Sequence, residues 1–92
     1  MRLVSMDFPR EGEEISGSTY TFRVTTHPAA AQVELSVNQS PWRPCVPDEG
    51  CWWCGWTGLA TGRHRARARM RTKDGHVLTT LPRAFRVITP TS

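Results

Sequence analysis

Long apolar runs are missing from this chain. Its aliphatic and aromatic residues are interspersed with polar ones, and none of the runs approaches the ~20 residues of a membrane-spanning helix. No membrane partner is therefore expected. Lysine is almost missing too: Lys73 stands alone, and arginine supplies nearly all of a balance of 12 basic against 8 acidic residues, net +4. A basic balance suits a polyanionic partner, and it also follows from arginine-rich composition alone. Cysteine is scarce and odd in number: Cys45, Cys51 and Cys54. Three thiols make no complete disulfide framework and suit a reducing compartment. The Met1–Asp7 segment lacks the apolar core of a secretory signal. These readings together set the expectation of a cytoplasmic protein.

Catalytic signatures are also lacking. There is no G-x-S-x-G, no H-E-x-x-H and no glycine-rich phosphate loop. Asp48 and Glu49 fall in a loop and give no sign of paired acid chemistry. The expectation is a protein that is not an enzyme. Helical periodicity is missing as well, with no window longer than about ten residues showing a 3.6-residue repeat.

What the chain has is alternation. Arg63-His64-Arg65-Ala66-Arg67-Ala68-Arg69-Met70-Arg71 places arginine at every odd position. Strand side chains alternate between faces, so this stretch as a strand sets five arginines on one face and His64, Ala66, Ala68 and Met70 on the other. A helix would scatter the arginines around its circumference and leave no apolar stripe. Arg2–Phe8, Tyr20–Thr26 and Gln32–Asn38 alternate in the same way, with Tyr20, Phe22, Val24 and Val33, Leu35, Val37 inward. Trp42–Cys45, Cys51–Thr57, Val77–Thr79 and Arg83–Ile88 read as shorter strands, and Val46–Gly50 as a loop. Asp74-Gly75 marks a hairpin.

The 92 residues predict one domain, 1–92 with its core at about 2–88. The fold class is all-β: an immunoglobulin-like antiparallel β-sandwich of about seven strands.

Several segments carry a family resemblance. They are Val33-Glu34-Leu35-Ser36-Val37-Asn38, Trp42 with Pro44, Trp53 with Trp56, Gly62-Arg63-His64 leading into Ala66-Arg67-Ala68, and Asp74-Gly75. Together they resemble bacterial immunoglobulin-like domains of the E-set type. The C-terminal dimerisation domain of molybdenum-cofactor sulfite oxidases has a similar pattern. The resemblance implies the sandwich fold and a role in dimerisation, spacing or ligand contact. Larger aliphatic residues often occupy the places of Ala66, Ala68 and Met70 in such domains, so this strand is expected to pack beneath tryptophan.

Three groups of residues are candidates for function. Cys51-Trp52-Trp53-Cys54 has the spacing of a redox dithiol or of half a zinc site. A redox dithiol wants a following helix, and Gly55-Trp56-Thr57-Gly58 starts none. Zinc wants four ligands, which Cys45, Cys51, Cys54 and either His64 or His27 would supply. Residues three apart on a strand point to opposite faces, so a turn or bulge would be required. Otherwise no cofactor is expected. The thiols then act as small hydrophobes, or Cys45 pairs with Cys51 or Cys54 in an oxidising setting.

Trp42, Trp52, Trp53 and Trp56 form the second group. One is expected in the core and at least one at the surface, where tryptophan stacks on a sugar ring, a base or a protein. Carbohydrate or another small ligand is the partner this group suggests.

The arginine face, Arg63, Arg65, Arg67, Arg69 and Arg71, is the third. Neighbours on one strand face lie about 6.5–7 Å apart, and each pair repels by roughly 0.6 kcal/mol in water. Pairing with the Val33 strand would bring Glu34 to one arginine and leave the others beside Gln32, Ser36 or Arg86. The face is therefore short of acid. An acidic protein surface or self-association is the expected partner, ahead of nucleic acid, for which no motif is present.

Overall fold

The computed structural model describes residues 4–28 and 30–88. Every regular element in it is a β-strand: β1 Val4–Phe8, β2 Glu13–Ser16, β3 Tyr20–Thr26, β4 Ala30–Val37, β5 Arg43–Pro44, β6 Val46–Asp48, β7 Cys51–Trp56, β8 Gly62–Thr72, β9 Val77–Thr79 and β10 Arg83–Ile88. They form two sheets, one ordered β1-β3-β7-β6 and the other β2-β10-β8-β4-β5, with β9 also paired to β8. The sandwich expected from alternation is therefore present.

The ten strands among the described residues exceed the expected seven because short edge pieces also pair. Val46–Asp48 is the strand β6 rather than a loop, held on β7 by pairings such as Val46 with Trp53. Ile15 belongs to β2, which runs parallel to β10, whereas every other pairing is antiparallel. Segments of three or four residues are too short for periodicity to register, so their pairing partners decide them. The strand start expected at Arg2, and the tail after Ile88, lie outside the described residues.

The core lies between the sheets and follows the alternation. Phe22 and Val24 from β3, Val33 and Leu35 from β4, and Ala66 and Ala68 from β8 are all 0 % exposed. Phe22 makes edge-to-face contacts with Tyr20, Trp56 and Phe85 at centroid distances of 5.1, 6.5 and 5.6 Å. Aromatic pairs at such geometry add about 0.5–1.5 kcal/mol each beyond their buried area.

Two turns position the outer face. Asn38 and Gln39 both have positive φ, 54° and 63°, and Ser40 N–H donates to the Val37 carbonyl at 3.0 Å. This is the pattern of a type I′ hairpin. It returns the chain along β4 as Pro41-Trp42 and β5. At the other end of β8, Gly75 (φ 88°) turns the Asp74-Gly75 hairpin into β9.

Candidate functional site

The outer face of the six-stranded sheet is built on β8. Its partner β4 sets Gln32 opposite Arg71, Glu34 opposite Arg69 and Ser36 opposite Arg67. On its other side, β10 sets Arg86 opposite Arg63 and Ala84 opposite Arg65. The shared face is the one that the alternation implied, and the structure adds the register. Glu34 meets one arginine: Arg69 Nε donates to Glu34 Oε1 at 2.9 Å. Arg86 is 3.6 Å from Glu14, and both side chains of that pair are more than half exposed. Among the described residues, Arg63, Arg65 and Arg71 have no carboxylate within ion-pair distance.

Trp42 joins the arginine face. The Arg69 guanidinium lies 4.2 Å from its ring centroid and that of Arg67 5.8 Å. Such contacts contribute about 0.5–1 kcal/mol at exposed sites. They hold Arg67 and Arg69 half-buried, while Arg63, Arg65 and Arg71 are exposed. Two of the sequence candidates, one tryptophan and the arginine strand, thus form one surface.

The unpaired end of this face borders an open cleft of about 670 Å³ lined by Arg63, Arg65, Arg86, Glu14, Asn38 and His64. Asn38 fixes its floor. Its Oδ1 accepts the Arg65 backbone N–H at 3.0 Å, so its amide nitrogen donates to His64 Nδ1 at 2.6 Å. The other ring nitrogen, Nε2, then donates to the Ala60 carbonyl at 2.6 Å. The ring also stacks on Phe85, with centroids 5.4 Å apart. His64 is thereby held on both ring nitrogens, in a structural role.

The remaining tryptophans are placed differently. Trp56, read as a binding candidate, is 6 % exposed and belongs to the core. Its odd-numbered neighbours on β7 face outward, and Arg43 caps its ring at 4.2 Å. Trp52 and Trp53 are half-buried. Trp52 Nε1 donates to the Thr26 hydroxyl at 3.1 Å. The ring of Trp53 is faced by Arg23 at 5.8 Å, and Arg23 in turn pairs with Asp7 at 3.2 Å. Neither is a bare platform.

The four-ligand zinc set does not assemble. Among the described residues no three His, Cys, Asp or Glu side chains converge on a metal position. Alternation along β7 separates Cys51, which approaches the Thr25 hydroxyl, from Cys54, which points into the core. His64 is committed to Asn38 and Ala60. Cys45 and Cys54 are both buried free thiols. Cys54 Sγ approaches the Gly55 carbonyl at 4.0 Å. The neighbouring Cys54 thiol, then burial, push the Cys45 thiol far above its ordinary value. The neighbouring Cys45 thiol, opposed by burial and helped by the Arg43 charge, holds Cys54 below its own.

Arg86, Arg43 and Arg23 had no place in the sequence candidates. The signal for Arg86 was present, since Phe85 and Val87 are inward and Arg86 must share the face of the β8 arginines. Nothing in the sequence pairs Arg43 with Trp56 or Arg23 with Trp53.

This two-sheet arrangement is shared by known immunoglobulin- and fibronectin-like β-sandwiches. The chain superposes on fibronectin(III)-like modules of CbhA from Clostridium thermocellum with a TM-score of 0.77 and 18 % identity, covering 91 % of this chain and 93 % of that one. A modular endo-β-1,4-mannanase from Cellulomonas fimi matches with a TM-score of 0.71 and 19 % identity, over 92 % of this chain and 18 % of the mannanase. CopC from Methylosinus trichosporium OB3b matches with a TM-score of 0.65 and 16 % identity, over 91 % and 90 % of the two chains. At such identities the likeness is one of fold. It agrees with the immunoglobulin-like reading, but not with the particular resemblance to the sulfite oxidase dimerisation domain. No family model and no curated protein matches the sequence.

Proposed function

We propose that this protein is a non-catalytic interaction module that docks a carboxylate-rich segment of a partner protein on the outer face of its six-stranded sheet. The observation that carries the reading is the pair of uncompensated guanidinium groups, Arg63 and Arg65, beside Arg86 at the cleft. Like charges held this close favour an anion that bridges them, and guanidinium binds carboxylate in a bidentate fork. Trp42 orders the neighbouring arginines and lowers the entropy lost on contact. A second copy of the same cationic face would repel, so an acidic partner is favoured over face-to-face self-association. The fold of the CbhA and mannanase neighbours supports a modular, non-catalytic role.

Calorimetric titration of the full chain with poly-L-glutamate tests this. Binding that weakens with salt, and falls tenfold or more in an Arg63→Ser/Arg65→Ser variant, is the expected result. Unchanged binding by that variant would refute the reading. So would binding of manno-oligosaccharide or duplex DNA in preference to poly-L-glutamate.

A further inference from the structure

Cys45 lies where the chain leaves one sheet for the other. It follows β5 of the six-stranded sheet and precedes β6 of the four-stranded sheet. Its backbone N–H is still bonded to the Val33 carbonyl of β4, at 2.8 Å. The next residue, Val46, is already paired with Trp53 of β7. The pairing ends at Val46, and the same antiparallel register continued by one residue would set Cys45 opposite Cys54. Directly opposed residues of an antiparallel pair stand about 4.5–5.5 Å apart at Cα, within the roughly 4.4–6.8 Å that a disulfide spans. The two thiols are neighbours, and both are buried, at 7 % and 4 % exposure. Cys51 is excluded from this pairing, because it is three residues from Cys54 on an extended strand and approaches Thr25 instead.

We propose that Cys45 and Cys54 form a disulfide that fastens the two sheets together at the β5–β6 crossing. The bond links a residue hydrogen-bonded to β4 with one in the middle of the opposite sheet, so it closes the sandwich at its open edge. The oxidant is a disulfide-bearing thiol oxidant. The Cys54 thiolate attacks one sulfur of that disulfide, forming a mixed disulfide and releasing the first thiolate, which takes up a proton. Cys45 then loses its proton and attacks the Cys54 sulfur, releasing the second thiol. Two protein thiols become one disulfide, and one external disulfide becomes two thiols. Cys54 suits the attacking role, since the neighbouring Cys45 thiol and the Arg43 charge favour its thiolate. β6 is a three-residue edge strand exposed along its length, and its opening admits the oxidant.

The test is incubation of the full chain with oxidised glutathione, followed by denaturation, alkylation and mass spectrometry. One alkylated cysteine, Cys51, and a linked Cys45–Cys54 peptide are expected. The oxidised protein should melt higher than the reduced one by on the order of 10 °C, given the short loop closed. Cys51→Ser should show the same link and the same rise. Cys45→Ala/Cys54→Ala, which retains small apolar side chains at both buried positions, should fold and show neither. Three alkylated cysteines after oxidation, a link through Cys51, glutathione retained on Cys54, or a lower melting temperature on oxidation would each overturn the proposal.

Discussion

The Arg69 guanidinium lies 4.2 Å from the centre of the Trp42 ring while its Nε donates to Glu34 at 2.9 Å. One side chain thus joins β8, β4 and the segment that leads into β5 on the outer face. Its charge is neutralised by Glu34 and its plane is covered by the indole. Trp42→Ala is expected to free Arg67 and Arg69 and lower stability by about 1 kcal/mol. Chemical denaturation would record it as a lower midpoint, and poly-L-glutamate binding should weaken with it.

Gln39 occupies a left-handed backbone conformation at φ 63° without being glycine. A type I′ turn prefers glycine at that place. Gln39→Gly should raise stability by a few tenths of a kcal/mol to about 1 kcal/mol, relieving the strained conformation that an L side chain adopts there. Pro41 and Trp42 follow directly, so a shift in the turn would also show in the fluorescence of Trp42. A lower denaturation midpoint for Gln39→Gly would contradict this account of the turn.

Ala68 is fully buried on β8, facing the four-stranded sheet. Enlarging it should clash with that sheet. Ala68→Leu is expected to cost about 1–3 kcal/mol through overpacking. Phe22→Ala, which removes the ring contacted by Tyr20, Trp56 and Phe85, should cost about 3–5 kcal/mol. Thermal melting of the two variants gives the order directly.

Burial, and then the nearby Glu13 carboxylate, raise the Tyr20 hydroxyl above its ordinary value of 10.0. The folded state therefore keeps a proton that the unfolded chain releases. This contribution is complete below pH 10 and fades as the pH rises through the folded-state value. Cys45, also raised, acts in the same sense, and Cys54, lowered, in the opposite one. In a Cys45→Ala/Cys54→Ala background the urea midpoint should thus fall as the pH rises above 10.0. Tyr20→Phe should flatten that fall.

The alternation of β8 was legible because from Arg63 to Arg71 arginine stands at every odd position, with Ala66, Ala68 and Met70 inward between them. The Glu34–Arg69 pair followed from the same parity once β4 and β8 were set side by side. Trp56 was not separable from Trp52 and Trp53 in this way. In Cys51-Trp52-Trp53-Cys54-Gly55-Trp56 large side chains fall on both faces, so only the pairing of β7 with β3 shows which face is inward. β6 was lost for another reason: its three residues, Val46, Pro47 and Asp48, are all exposed, and an exposed strand carries no hydrophobic alternation.

By itself, then, the order of residues determined a sandwich with one strongly cationic sheet face, because period-two alternation forces side chains to opposite sides of a strand. Two features were decided by tertiary structure alone. They are the stacking of Trp42 on Arg67 and Arg69, and the choice of Cys54 over Cys51 as the neighbour of Cys45. Each brings together residues from strands whose neighbours in space are set by sheet order and register, and these depend on the packing of the whole core rather than on any local pattern.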